Sequence, residues 1–200
     1  MSMSIEILPT IMKMISSSGM DELSNKTGLS TTQVTSAAAI ALPLIIQAMA
    51  KKTEDDKGAE SLAKAVSKDH DGSILENLGS YIQNSDEKEG QSILKHLIGK
   101  DRTDIAQTIG NMVGIEKEQS MLILSILAPI VMGLIGKYMS KENVSASELA
   151  KSLSAEGENV TNAAPDASSL FKSLIDSNGD GEVTDDVMKI GSQLLGAFLK

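Results

Sequence analysis

The sequence predicts an all-α protein. Apolar residues recur at the three- and four-residue spacing of amphipathic helices almost throughout the 200 residues, and no stretch alternates as a strand does. Aromatic residues make up only 2% of the chain and hydrophobic residues 41%, so we expect an aliphatic core. Two long uncharged stretches, residues 35–50 and 119–136, predict two buried central helices.

Helix-start and helix-stop residues divide the first part of the chain. Ile5–Ser16 carries an apolar stripe at helical spacing. Gly28 is expected to end the next helix in a left-handed conformation. Ser30 and Gln33 form the sequence pattern of a capping box, which predicts the start of the first central helix.

The second central helix is predicted from the same signals. Gly114 repeats the role of Gly28, and Glu116–Glu118 places negative charge at the positive end of the following helix. Pro43 and Pro129 lie inside the two central helices, where each removes a backbone donor and predicts a kink. Further helices are predicted over Asp56–Val66, Ile74–Gln83, Glu87–Ile98, Arg102–Val113, Ser168–Ile175 and Thr184–Leu199.

The chain also shows an internal duplication. Gly28 and Gly114, Gln33 and Gln119, and Pro43 and Pro129 are all separated by the same 86 positions. We therefore predict a duplicated helical bundle with repeats at residues 1–86 and 87–200, packed as one compact domain.

The second repeat is expected to carry an insertion at about residues 141–166. Ser, Ala, Asn and Glu dominate this stretch, which predicts a mobile connector. Within it, Ala146–Ala155 is compatible with a short helix.

An ion site is suggested near the C-terminus. Residues 176–187 resemble an EF-hand loop, with oxygen side chains at alternate positions, a glycine at the turn and apolar stripes on both flanks. Such oxygen ligands suit a hard cation, and calcium is the cofactor we expect. The candidate metal ligands are Asp176, Asn178, Asp180, Glu182, Asp185 and Asp186.

The loop departs from the EF-hand pattern at its last position. Val187 stands where a bidentate Glu closes the calcium shell, so Asp185 or Asp186 would have to replace it. The alternative interpretation is structural: Asn178 and Asp180 form turns, and Thr184, Asp185 and Asp186 cap the final helix. The related segment at Asp69–Asp71 is expected to be a turn and helix cap only.

Charge and composition exclude several functions. The 27 acidic residues outnumber the 18 basic ones, so the net charge of -9 disfavours nucleic-acid binding. The absence of cysteine removes thiol nucleophiles and thiolate metal sites. We expect His70 to be a solvated or capping residue and His96 a partly buried structural one. No catalytic residue is assigned, and we expect the protein not to be an enzyme.

Three kinds of partner remain open. The two apolar helices favour association with a protein partner or with a second copy of the chain. Alternatively, residues 35–50 and 119–136 act at a membrane surface, although each stretch is shorter than a spanning helix and contains a proline. Residues 23–35 resemble the turn of a helix-turn-helix DNA reader, but the apolar continuation argues against that function. With no signal peptide or transmembrane helix evident, we expect a cytoplasmic location.

The order of several short motifs resembles a bacterial family. These motifs include His70–Ser73, Ile93–Gly99, Ala128–Gly133 and Asp180–Gly181. In this order they resemble the YidB-like bacterial proteins of unknown function, domain of unknown function 937. The resemblance implies an α-helical bacterial domain and supplies no catalytic residue.

Overall fold

The computed structural model describes residues 6–163 and, beyond them, residues 165, 169 and 172. In this part of the chain there are nine α-helices and two short 3-10 helices, and no strand, which confirms the all-α prediction. The helices are α1 (Ile7–Ser18), α2 (Met20–Thr27), α3 (Thr31–Lys52), α4 (Asp56–Asp69), α5 (Leu78–Asn84), α6 (Glu87–Leu97), α7 (Arg102–Val113), α8 (Lys117–Glu142) and α9 (Ala146–Ala163). The 3-10 helices are Ser73–Asn77 and Gly99–Asp101.

The two long apolar helices, α3 and α8, lie at the centre of the fold. They contact each other and are surrounded by the shorter helices. In α8 every residue from Ile123 to Gly133 is buried, so this helix has no solvent-facing side over three turns. Each helix contains its proline, Pro43 or Pro129, and continues past it. The kink at each proline stays a prediction.

The helix boundaries follow the predicted capping residues. Gly28 and Gly114 end α2 and α7 with φ of 70° and 72°. At the start of α3 the Ser30 hydroxyl accepts a hydrogen bond from Gln33 N at 3.3 Å, and Gln33 Oε1 accepts one from Ser30 N at 3.1 Å. This geometry confirms the capping box.

One predicted helix is divided into two elements. The stretch Ile74–Gln83 forms a 3-10 helix followed by α5. The division falls at Asn77, whose side chain accepts a hydrogen bond from Ser80 N at 3.2 Å and thereby starts α5.

Burial in α3 recurs in α8 at the predicted spacing. Every buried residue of α3 except Ala48 has a buried counterpart 86 positions later. The counterpart of Ala48, Leu134, is half-buried. The two helices therefore share a burial pattern as well as capping residues.

The predicted mobile connector is wrong for its larger part, whereas the helix expected at Ala146–Ala155 is confirmed and is longer than expected. Ala146–Ala163 is an 18-residue helix, α9, that packs on α3 and α4. Its buried residues Leu149, Leu153 and Val160 form one stripe at helical spacing. A Ser- and Ala-rich background obscured this stripe, although these few apolar residues are sufficient to dock the helix.

A buried carboxylate joins α9 to the beginning of the described chain. Glu156 is only 3% exposed, and its Oε1 accepts hydrogen bonds from Ile7 N at 2.8 Å and Leu8 N at 3.0 Å. The first amides of a helix have no partner within it, and the helix N-terminus favours negative charge. Glu156 therefore caps α1 across the fold.

Two glycines allow neighbouring backbones to approach α8. A Cβ atom at Gly90 of α6 would lie 1.8 Å from the Ser125 carbonyl oxygen, and one at Gly136 of α8 would lie 1.7 Å from the His70 carbonyl oxygen. No side chain fits at either distance, so glycine is required where α6 and the end of α4 dock on α8.

Two helices of the described chain meet length and composition criteria for crossing a membrane. These helices are Thr31–Lys52 and Lys117–Glu142. In the most apolar 18-residue segment of each, 72% and 78% of the residues, respectively, are buried within the fold. Most of their apolar surface is thus covered by other helices.

The close approach at Gly136 gives a stability prediction. The variant Gly136→Ala places a methyl group against the His70 carbonyl, so we expect the free energy of unfolding to fall by about 2–3 kcal/mol. Helix propensity alone would favour alanine by about 1 kcal/mol. Chemical denaturation followed by circular dichroism measures the difference.

A matched control is Gly79→Ala in α5. Its new Cβ would lie 3.0 Å from Glu22 Oε1, at the end of a flexible side chain, and 3.3 Å from the Ser18 carbonyl oxygen, which is far longer than the 1.7 Å at Gly136. We expect a much smaller change there. A Gly136→Ala protein as stable as the Gly79→Ala protein would contradict the packing argument.

The Glu156 cap gives a second stability prediction. Glu156→Ala leaves two amides at the start of α1 without their acceptor, and we expect a loss of about 2–4 kcal/mol in unfolding free energy. Glu156→Gln retains one oxygen acceptor and should lose less. Glu158→Ala, an exposed site on the same helix, is the control. Similar denaturation curves for the Glu156→Ala and Glu158→Ala proteins would show that the cap does not contribute to stability.

Candidate functional site

A cleft between α4 and α6 contains both histidines of the chain. It has a volume of about 560 Å³, within the range of roughly 300–1,000 Å³ usual for small-molecule sites. Its apolar lining comprises Leu62, Ala65, Ile93, Leu97 and Met132, and its polar lining comprises Lys52, Ser61, Asp69, His70, Glu89, Ser92 and His96. We refer to it as the histidine cleft.

His70 is buried in the cleft and is the C-cap residue of α4, so the expected capping role is confirmed and the expectation of a solvated residue is wrong. Its side chain is 8% exposed, and Nδ1 lies 3.8 Å from Glu89 Oε1. The residue is drawn inward because Gly136 admits its carbonyl group against α8. A separation of 3.8 Å is too long for a direct hydrogen bond, so the His70 ring and the Glu89 carboxylate face each other without a hydrogen bond between them.

His96 is exposed, and the expectation of a partly buried histidine is wrong. The buried positions of α6 are Gly90 and Leu94, which lie on another side of the helix. His96 Nδ1 lies 2.8 Å from the Ser92 carbonyl oxygen. Because a carbonyl only accepts hydrogen bonds, Nδ1 carries the hydrogen, and Nε2 of the neutral ring is an acceptor.

Glu89 also influences a tyrosine in α5. Burial is the main cause that raises the pKa of Tyr81 above its ordinary value, and the negative charges of Glu89 and Asp86 add to it. The Tyr81 hydroxyl is buried and, among the described residues, has no hydrogen-bond partner. It is therefore a protonated hydroxyl group that the fold leaves unsatisfied.

The rim of the cleft is formed by the C-terminal ends of three helices. Lys52 is the last residue of α3, Asp69 is the last residue of α4, and His96 and Leu97 end α6. Helix C-termini carry partial negative charge on their free carbonyl groups. Lys68 lies 3.9 Å from Asp69 and both side chains are exposed.

The turn at Asp69–Asp71 has the predicted structural role. Asp71 Oδ1 accepts a hydrogen bond from Ser73 N at 2.9 Å, at the start of the 3-10 helix. Hydrogen bonds from Ser73 lower the pKa of Asp71 below its ordinary value. The acidic group here stabilises a helix start.

The predicted calcium loop lies outside the described residues. Its candidate ligands are Asp176, Asn178, Asp180, Glu182, Asp185 and Asp186. Over residues 6–163 and the three later positions, no group of three or more His, Asp or Glu side chains is placed to hold a metal ion.

A larger groove of about 980 Å³ lies between the C-terminal end of α3 and α9. Its lining is mainly polar, with Lys51 and Glu54 on one side and Lys151 and Glu158 on the other. Ala50, Ala150 and Gly157 are the non-polar residues of its lining, whereas the histidine cleft has larger aliphatic side chains, and we therefore regard the histidine cleft as the better binding site.

The sequence draws attention to His70 and His96 but does not indicate that they line the same cleft. They lie on different helices, and no motif spans them. The signals available were the glycines at 90 and 136, which mark close helix approaches but do not identify the partner helix.

Comparison with known proteins identifies a family without an assigned activity. A search found no match among curated proteins and none among solved structures. The model of a family described as bacterial protein of unknown function (DUF937) matches residues 10–138, more than half of the chain and all the helices from α2 to α7. The chain therefore belongs to this family of bacterial proteins of unknown function.

Proposed function

We propose that the protein is a non-catalytic binding module and that its ligand occupies the histidine cleft. The observation that supports this proposal is the meeting of both histidines with Glu89 above apolar walls in one cleft of about 560 Å³. Apolar walls with a few polar groups are typical of sites that bind a small molecule.

The polar groups of the cleft favour binding over catalysis. His96 uses Nδ1 to contact a carbonyl of its own helix. His70 Nδ1 lies 3.8 Å from Glu89 Oε1, too far for the carboxylate hydrogen bond that usually orients a catalytic histidine. The chain contains no cysteine nucleophile. We accordingly assign the cleft a recognition role.

The burial of α3 and α8 within the fold argues against the use of these helices for self-association or membrane contact. The apolar residues that favoured self-association or membrane contact largely pack against other helices of the same chain. Using them for either purpose would require the core to open. The proposal therefore places recognition at the histidine cleft, which is accessible in the folded chain.

We infer in addition that the binding module arose by duplication with exchange of helices. The shared burial pattern of α3 and α8 supports this inference. Two equivalent contacts also support it. Gly136 of α8 faces Val66 and His70 at the end of α4. Ala50 of α3, which lies 86 positions before Gly136, faces Gly157 of α9. In this arrangement α9 is the counterpart of α4, and each packs on the central helix of the other repeat.

The binding proposal predicts that filling the cleft abolishes ligand binding. Ala65 is a half-buried wall residue, so Ala65→Phe should fill the apolar space. We expect the neutral dye phenylnaphthylamine to fluoresce with the natural protein and not with Ala65→Phe.

Ala155→Phe is the matched control because Ala155 is exposed on α9, away from the cleft. It should bind the dye as the natural protein does. The binding proposal fails if the natural protein does not bind the dye, or if Ala65→Phe binds it undiminished.

We also propose that the loop at residues 176–186 binds calcium. Five carboxylates in this short loop repel one another without a cation. Calorimetric titration of the chelator-treated protein should show binding heat, lost in Asp180→Ala and retained in Asp21→Ala, an exposed site on α2. Absence of heat with the natural protein would support the turn-and-cap interpretation instead.

A further inference from the structure

We propose that the histidine cleft selects a cationic amphiphile: a primary alkylammonium whose ammonium group contacts Glu89 and whose alkyl chain lies on the apolar walls. This inference rests on the proposed function, since it specifies the charge of the ligand that the cleft takes. Three features of the cleft support a cation.

The first feature is the balance of side-chain charge. Two carboxylates, Asp69 and Glu89, line the cleft, against one ammonium group, that of Lys52. Lys52 is exposed at the rim, and Lys68 at 3.9 Å partly neutralises Asp69. Glu89 is 43% exposed and, within the part of the chain that the structure describes, has no closer ionic partner than His70 at 3.8 Å, so it is the carboxylate most available to a ligand.

The second feature is the supply of hydrogen-bond acceptors. An alkylammonium carries three N–H donors and no acceptor. Glu89 supplies carboxylate oxygens, and His96 supplies Nε2 because its Nδ1 is bound to the Ser92 carbonyl. A carboxylate ligand would find donors in Lys52, Ser61 and Ser92 but would be repelled by Glu89.

The third feature is the backbone. The rim contains the C-terminal ends of α3, α4 and α6, whose carbonyl groups carry partial negative charge. Lysines in the last turns of the same helices offset part of this charge at the surface. The net charge of -9 acts in the same direction at longer range and favours the approach of cations.

The apolar lining determines the rest of the ligand. Leu62, Ile93 and Met132 come from three different helices and form an aliphatic surface with no aromatic ring. An unbranched alkyl chain matches such a surface, and the burial of each methylene contributes to binding through the hydrophobic effect. A small polar amine would forgo this contribution.

The test is competition against the bound dye by three eight-carbon probes of different charge: octylammonium, octanoate and octyl glucoside. We expect octylammonium to displace the dye at a concentration about tenfold lower than octanoate, the effect of one charge-assisted hydrogen bond. The preference should disappear in Glu89→Gln and persist in Glu118→Gln, whose carboxylate is 76% exposed at the start of α8.

The outcomes separate the two proposals. If the dye does not bind the natural protein, the binding module itself is wrong. If the dye binds but octanoate competes as well as octylammonium, only the cation preference is wrong. An equal loss of preference in Glu89→Gln and Glu118→Gln would attribute the selectivity to overall charge and would overturn the role of Glu89. Circular dichroism melting of each variant confirms that it is folded.

Discussion

The enclosure of α8 is the constraint on which the rest of the structure depends. A helix that is apolar on every side gains stability only when other helices cover all of its sides. From Ile123 to Gly133 this covering is continuous, and it is supplied by α3, α6, α7 and the end of α4. Because several helices pack on one central helix, they must approach it closely, and small residues lie at the contact points.

The same constraint creates the histidine cleft. Gly90 brings α6 onto α8 at Ser125, and Gly136 brings the end of α4 onto α8 at His70. Two helices held on the same side of a third leave space between themselves, with Met132 of α8 among its lining residues. The cleft is therefore fixed by backbone contacts in the core, which makes it a largely pre-formed site.

Local signals in the sequence predicted most of the helices, whereas the tertiary partners could not be predicted. Gly28, Gly114 and the pair Ser30 and Gln33 act within a few residues, so their roles are visible in sequence. Glu156 caps a helix 149 positions away, and no local pattern distinguishes it from the exposed Glu158. The histidines illustrate the same limit, since their exposure depends on how closely α4 and α6 dock on α8.

Hydrogen-bond satisfaction separates structural polar groups from those available to a ligand. Glu156 is buried and accepts two amide hydrogen bonds, so it has a complete structural role. Glu89 faces His70 at 3.8 Å and makes no closer ionic contact among the described residues. It also adds negative charge near the Tyr81 hydroxyl, which finds no acceptor in the same part of the chain. A buried polar group without a hydrogen-bond partner carries a desolvation cost unless a ligand supplies the partner. The fold satisfies the Glu156 carboxylate, which joins α9 to α1, and leaves Glu89 open beside an apolar wall. This difference is the physical reason to place recognition in the histidine cleft.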